Sequence, residues 1–94
     1  MAIEKYMDVS TCYITEQDDA KLGYSNPPIP VYEYEYGYFV HCSGFYGDTE
    51  QECREFGMSD DFINLMKYAY SQGCGFVKLD ADGDDTLTFP KHDW

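Results

Sequence analysis

The sequence predicts an α+β domain: a small, mostly antiparallel sheet of three to four strands, covered on one face by one main helix. Two observations carry that expectation. Residues 32–42 alternate side chains with a period of two, as a pleated strand does, and residues 60–72 repeat apolar side chains at helical spacing. A third bounds it. With 94 residues there is room for a single domain, 1–94, which buries roughly 60–65% of its unfolded surface and so folds with a modest margin.

Taken in order, residues 3–14 mix Ile, Val, Tyr and Thr with partial alternation and read as a first strand. Thr15-Glu16-Gln17-Asp18 opens a short helix, in which Thr15 caps free amides, the acids complement the positive helix end and Gly23 stops it. Three prolines between Asn26 and Val31 exclude helix and central strand, leaving a loop over 24–31. The strand over Tyr32–Cys42 then places Tyr32, Tyr34, Tyr36, Tyr38, Val40 and Cys42 on one face, with Glu33, Glu35, Phe39 and His41 on the other. After a Gly-rich stretch at 43–48, Thr49-Glu50-Gln51-Glu52 repeats the capping pattern and starts one or two helical turns ending at Gly57.

The main helix spans 60–72. Ser59 caps it, Asp60 and Asp61 suit its first turn, and Gly73 ends it. Met58 and Ile63 are placed for a hydrophobic staple, while Phe62, Leu65, Met66 and Ala69 form the buried stripe. Residues 75–79 read as a strand, Asp82-Gly83-Asp84-Asp85 as a turn, and 86–89 as a short returning edge strand. The expected order is β-α-β-(α)-α-β-β.

Charge excludes more than it identifies. Six basic against 18 acidic residues give a net charge of −12, which argues against direct nucleic-acid binding and against docking on an anionic membrane. The acids are not a tail: residues 1–47 hold 2 basic and 7 acidic side chains, and residues 48–94 hold 4 and 11. Aromatic residues make up 18% of the chain, too many for an acidic disordered segment. There is no secretory signal pattern at Met1–Asp8 and no apolar run of membrane-spanning length, so a cytoplasmic location is expected. Cys12, Cys42, Cys53 and Cys74 are spread without a CxxC pair, as suits free, packing thiols in a reducing compartment.

Asp80-Ala81-Asp82-Gly83-Asp84 begins like a calcium loop, with Leu87 at the apolar eighth position. The sixth position is Asp85 where glycine is needed, and the twelfth is Lys91 where a bidentate Glu is needed, so an acidic turn is the better reading. His41 and Cys42 are neighbours on a strand and point to opposite faces, which argues against a catalytic pair. No nucleophile elbow, phosphate loop or zinc motif is present, and no enzyme activity, metal or cofactor is expected.

Two features remain. Four tyrosines on one strand face are hard to bury with every hydroxyl paired, and Tyr supplies large contact area with a polar tip. Glu33 and Glu35 on the opposite face would stand about 6.7 Å apart, a spacing comparable with phosphates along a nucleic-acid backbone. The candidate partner-binding residues are therefore Tyr32, Tyr34 and Tyr36 for contact and Glu33, Glu35, Asp82, Asp84 and Asp85 for charge.

Ser10-Thr11-Cys12-Tyr13-Ile14-Thr15, Tyr34-Glu35-Tyr36-Gly37-Tyr38-Phe39-Val40, the stretch Gly73–Gly83 and Trp94 resemble a family of short acidic proteins of plasmids, integrated elements and phages. That family is known only as a domain of unknown function. In general character the chain also resembles phage-encoded anti-CRISPR proteins: small, acidic, single-domain and without catalytic motifs. The resemblance implies a mobile-element setting. The expected function is stoichiometric inhibition of a bacterial nucleic-acid-handling defence complex, such as a CRISPR effector, by acidic DNA mimicry or occlusion of its groove. The alternative is an acidic interaction module, a small regulator or antitoxin partner, whose charge serves only solubility.

Overall fold

In the computed structural model, residues 3, 5–24, 26–42 and 47–94 are described. They form an α+β fold with a four-stranded mixed sheet: β1 (Tyr6–Ser10), β2 (Val31–Tyr34), β3 (Gly37–His41) and β4 (Phe76–Asp80), in the order β1-β4-β3-β2. β4 lies parallel to β1 and antiparallel to β3, and β2 and β3 are antiparallel. Helices α1 (Glu16–Tyr24), α2 (Asp48–Phe56) and α3 (Asp60–Ser71) complete it, with a 3-10 turn at Thr11–Tyr13. Most of the expected Gly-rich stretch, 43–46, lies outside the described residues.

The helix ends follow local chemistry. Thr15 Oγ accepts from the Asp18 amide at 3.0 Å while the Asp18 carboxylate accepts from the Thr15 amide at 3.0 Å, a reciprocal cap on α1. α1 runs through Gly23 to Tyr24, one residue past its expected stop. Ser59 caps α3 by accepting from the Phe62 amide at 3.1 Å. α2 ends at Gly57 as expected, but its N-cap is Gly47 and no side chain caps it, so Thr49 lies inside the helix. One strand face packs against the helices: Met7, Val9, Val77, Leu79, Tyr38 and Val40 meet Phe62, Ile63, Leu65, Met66 and Ala69 of α3 in one core.

Two expectations are corrected. The strand expected over 32–42 is a hairpin whose two-residue turn is Glu35-Tyr36, with Tyr34 paired to Gly37. The turn reverses the phase, so Tyr32 and Tyr34 share a face with Phe39 and His41, while Tyr38 and Val40 enter the core. Neither turn residue has positive φ, so the Asn-Gly or Asp-Gly signature of the favoured hairpin turns is absent. Contacts with β4 set the turn instead: Tyr36 O accepts from the Ala81 amide at 3.0 Å, and a Cβ on Gly37 would lie 1.8 Å from Leu79 O.

The second correction is at 86–89, which forms no strand. The chain beyond β4 folds over the first 3-10 turn, because its polar groups find partners there. Leu87 N donates to Tyr13 Oη at 2.9 Å, His92 N to Cys12 O at 2.7 Å and Trp94 Nε1 to Ile14 O at 3.0 Å. Phe89 stacks edge-on against Tyr68 of α3.

Asp18 has no exposed surface. Beyond capping α1, its carboxylate accepts from the Ser59 amide at 2.9 Å and from the Ser59 hydroxyl, so one side chain holds the first turns of α1 and α3 together. Asp18→Ala strands these donors in the interior and is expected to destabilise the fold by about 3 kcal/mol or more, with Asp18→Asn costing less, measured by urea unfolding. Gly37→Ala is expected to lower stability by roughly 2–4 kcal/mol through the clash with β4, with spectroscopically visible loss of the β2–β3 pairing.

Candidate partner-binding surface

The register sets out the sheet face away from the helices as three rungs. Tyr6, Phe76 and His41 form the first; Asp8, Lys78, Phe39 and Tyr32 the second; Ser10, Asp80, Gly37 and Tyr34 the third. Helices pack on the other face, so these rings form a connected aromatic surface. Phe39 lies 6.0 Å from Tyr6 and 5.5 Å from Tyr34, and His41 stacks edge-on against Phe76 at 5.0 Å. Tyr32 is 60% exposed, Tyr36 57% and Tyr6 53%. Tyr32, Phe39 and Phe76 line a shallow apolar depression.

In the third rung, Gly37 has no side chain, and the Tyr34 hydroxyl reaches across it to donate to the Asp80 carboxylate. Desolvation, then the hydrogen bond and charge of Asp80, push the Tyr34 phenol well above its ordinary value. The same hydrogen bond, with the Asp82 amide and Lys78 adding to it, holds Asp80 below the usual carboxylate range. Lys78 Nζ lies 6.0 Å from the Tyr34 ring centroid, 3.7 Å from Asp8 and 4.0 Å from Asp80. The sheet therefore already seats one cation between an aromatic ring and two carboxylates.

All four strands bring one end to this third rung, and the acids gather beyond it. Glu35 and Tyr36 form the turn there, and Asp82, Asp84 and Asp85 follow Ala81. Gly83 presses on β1, where a Cβ would lie 2.3 Å from Val9 O, and Asp84 O accepts from the Ser10 amide at 2.9 Å. A recess at this end is lined by Asp19, Glu33, Glu35, Tyr36, Ala81 and Trp94. Arg54 and Lys67 are engaged elsewhere, pairing with Glu50 and Asp60 on α2 and α3. Among the described residues, none of Glu33, Glu35, Asp82 and Asp85 joins a salt bridge.

The candidate residues thus divide. Tyr32 and Tyr34 stand on the open face, and Tyr36 and Glu35 in the turn at its margin. Glu33 points to the helix side, across from Tyr38, so the expected Glu33–Glu35 pair on one strand face does not exist. Asp84 spends its carboxylate on the Thr86 amide and hydroxyl, which lower its pKa. Asp80 turns its own toward Tyr34 and the Asp82 amide, and among the described residues no three His, Cys, Asp or Glu side chains form a metal-holding group. His41 is on the open face, whereas Cys42 is buried and its thiol is pushed up to about 11, mainly by burial. Tyr6, Phe39, Phe76 and Lys78 are the surface residues the sequence reading left out. For Phe76 and Lys78 the signal was their alternation with Val77 and Leu79.

The Tyr34–Asp80 bond needs a neutral phenol and an ionised carboxylate. Its stabilisation is therefore full between about pH 4 and pH 10; it is lost as pH falls through the lowered Asp80 pKa or rises toward the raised Tyr34 pKa. Tyr34→Phe is expected to lower the urea midpoint at pH 7 and to let Asp80 titrate nearer the ordinary range. The difference from the parent should shrink below pH 4, read by carboxyl NMR titration alongside unfolding curves.

Among the described residues, no helix is long and apolar enough to cross a membrane. No curated protein and no solved structure matches the chain. A family match covers residues 6–94, nearly the whole sheet-and-helix unit described above. The chain belongs to the family of unknown function DUF5983, through that family's C-terminal domain.

Proposed function

We propose that this protein acts by binding, without turnover of its own, as a stoichiometric inhibitor of a basic nucleic-acid-handling protein. The target class implied by the sequence resemblance is a bacterial defence complex, met in the cytoplasm of a host carrying a phage or mobile element. The observation that carries this reading is the gathering at one end of the sheet of Glu35, Asp82 and Asp85, which join no salt bridge among the described residues, beside the exposed Tyr36 and the open aromatic face. A Lys/Arg-lined groove built for phosphate attracts such an end, and long-range charge speeds encounter while aromatic packing slows dissociation.

Occlusion fits the geometry better than phosphate-by-phosphate mimicry, because Glu33 and Glu35 do not stand along one strand face. That same observation favours the second reading, an interaction module that binds a basic protein away from its nucleic-acid groove. The two differ in a competition titration of a defence effector with its own DNA or RNA at two salt concentrations. Occlusion predicts mutually exclusive binding that weakens as salt rises, since exposed pairs are screened beyond about 8 Å at physiological ionic strength. Glu35→Lys with Asp82→Lys is expected to reduce affinity at least tenfold, about 1.4 kcal/mol, with the fold intact. Simultaneous, salt-independent binding of protein and nucleic acid overturns occlusion.

A further inference from the structure

We propose that the open sheet face is an arginine-binding surface: it receives guanidinium side chains of the basic partner against Tyr6, Tyr32, Phe39 and Phe76, next to the half-exposed Asp8. The inference rests on the acidic-docking reading above and deepens it, by naming the partner side chain and the face that takes it.

Three observations select this occupant. The first is the cation the face already holds. Lys78 sits over the Tyr34 ring at 6.0 Å with Asp8 and Asp80 within 4.0 Å, so ring and carboxylate together suit a positive side chain at this surface. The rings of Tyr6 and Tyr32, over half exposed, have no such occupant among the described residues. A planar, weakly hydrated guanidinium stacks on an aromatic face while donating in its own plane to a carboxylate, which a compact, strongly hydrated ammonium does less well.

The second is charge. At −12 the chain repels a further copy of itself, and Asp8 and Asp80 stand among the rings where the phosphates of a stacked nucleic acid would lie. The third is size. Four strands of up to five residues give a footprint of roughly 19 by 17 Å, about 320 Å², from ordinary strand spacing and rise. That flat footprint is small beside the ~800 Å² of accessible surface that each partner buries in a stable interface. The face suits a few anchoring side chains at the edge of a larger contact better than it suits a dimer.

The test compares fluorescein-labelled octa-arginine and octa-lysine peptides binding to the full chain by anisotropy at 0.15 M salt, with chemical-shift mapping of the complex. The arginine peptide is expected to bind at least tenfold tighter and to shift Tyr6, Tyr32, Phe39 and Phe76. The preference should collapse toward unity in Tyr6→Ser/Tyr32→Ser, whose exposed positions leave the fold intact by circular dichroism, while Glu35→Lys weakens both peptides alike. Equal, salt-dependent binding of the two peptides overturns the arginine surface and leaves acidic docking standing. A preference unmoved by the double variant, or shifts confined to the acidic end, overturns it too. So does tighter binding of labelled oligouridine, or a dimer through this face at micromolar concentration by sedimentation. Binding of neither peptide also overturns it, and the groove competition then tests acidic docking by itself.

Discussion

The fold depends on one buried carboxylate. Asp18 lies at the crossing of two helix starts, where the unsatisfied amides of both α1 and α3 need acceptors. A single anion serves both ends, accepting from Thr15 N, Ser59 N and the Ser59 hydroxyl, while Ser59 in turn accepts from Phe62 N. The positive ends of two helix dipoles converge on it, which offsets the cost of removing a charge from water. α3 carries the largest block of buried side chains, so fixing its first turn relative to α1 fixes the core against the inner sheet face. The aromatic face is open because the helices are all held on the other side.

How far the sequence could be read follows from whether a signal was local. The Ser59 cap, the stripe Phe62–Leu65–Met66–Ala69 and the Thr15–Asp18 cap are set within one or two turns, and each stands where the local pattern puts it. That Asp18 would also reach Ser59, 41 residues away, has no local signature. The Tyr32–Cys42 stretch is more instructive. Its alternation is real on both arms of the hairpin, but the turn at Glu35-Tyr36 contains no residue that announces a reversal. A two-residue turn shifts the phase of everything after it, so without the turn Tyr38 falls with Tyr32 and Tyr34, and Phe39 with Glu33, while the strand character of both arms is unaffected. What specifies the turn is the close approach of Gly37 to Leu79 and the Tyr36–Ala81 bond, contacts with β4 and the residue just after it, some 40 residues later.

The turn also rearranges the candidate site. Tyr32, Tyr34 and Tyr36 remain surface residues, but their neighbours are Phe39, Phe76 and Tyr6, which a single-strand reading could not assemble. Glu33 and Glu35 separated for the same reason, and with them went the regular carboxylate spacing. Asp82 stayed beside the turn, since β4 ends on the same rung as β2 and delivers the acidic loop there. The acidic end is therefore a product of topology: placing β4 between β1 and β3 brings chain segments near residues 35 and 82 to one edge.

Placing uncompensated acids at one end of a 94-residue domain has an energetic consequence that bears on binding. Self-repulsion opposes compactness, and a domain of this size has few kcal/mol to spare. Three of the six cations are spent in ion pairs that steady the fold: Arg54 and Lys67 between α2 and α3, Lys78 in the middle of the sheet. None is spent on Glu35, Asp82 or Asp85 among the described residues. A basic surface placed against that end would remove repulsion that the free protein endures, so association and stability are linked: whatever binds the folded acidic end also holds the fold together. The linkage works in the other direction as well. Because β2, β3 and β4 all terminate at the Tyr34–Gly37–Asp80 rung, loosening that rung spreads the carboxylates and the rings apart at once, and the charge-bearing edge and the aromatic face lose their geometry together.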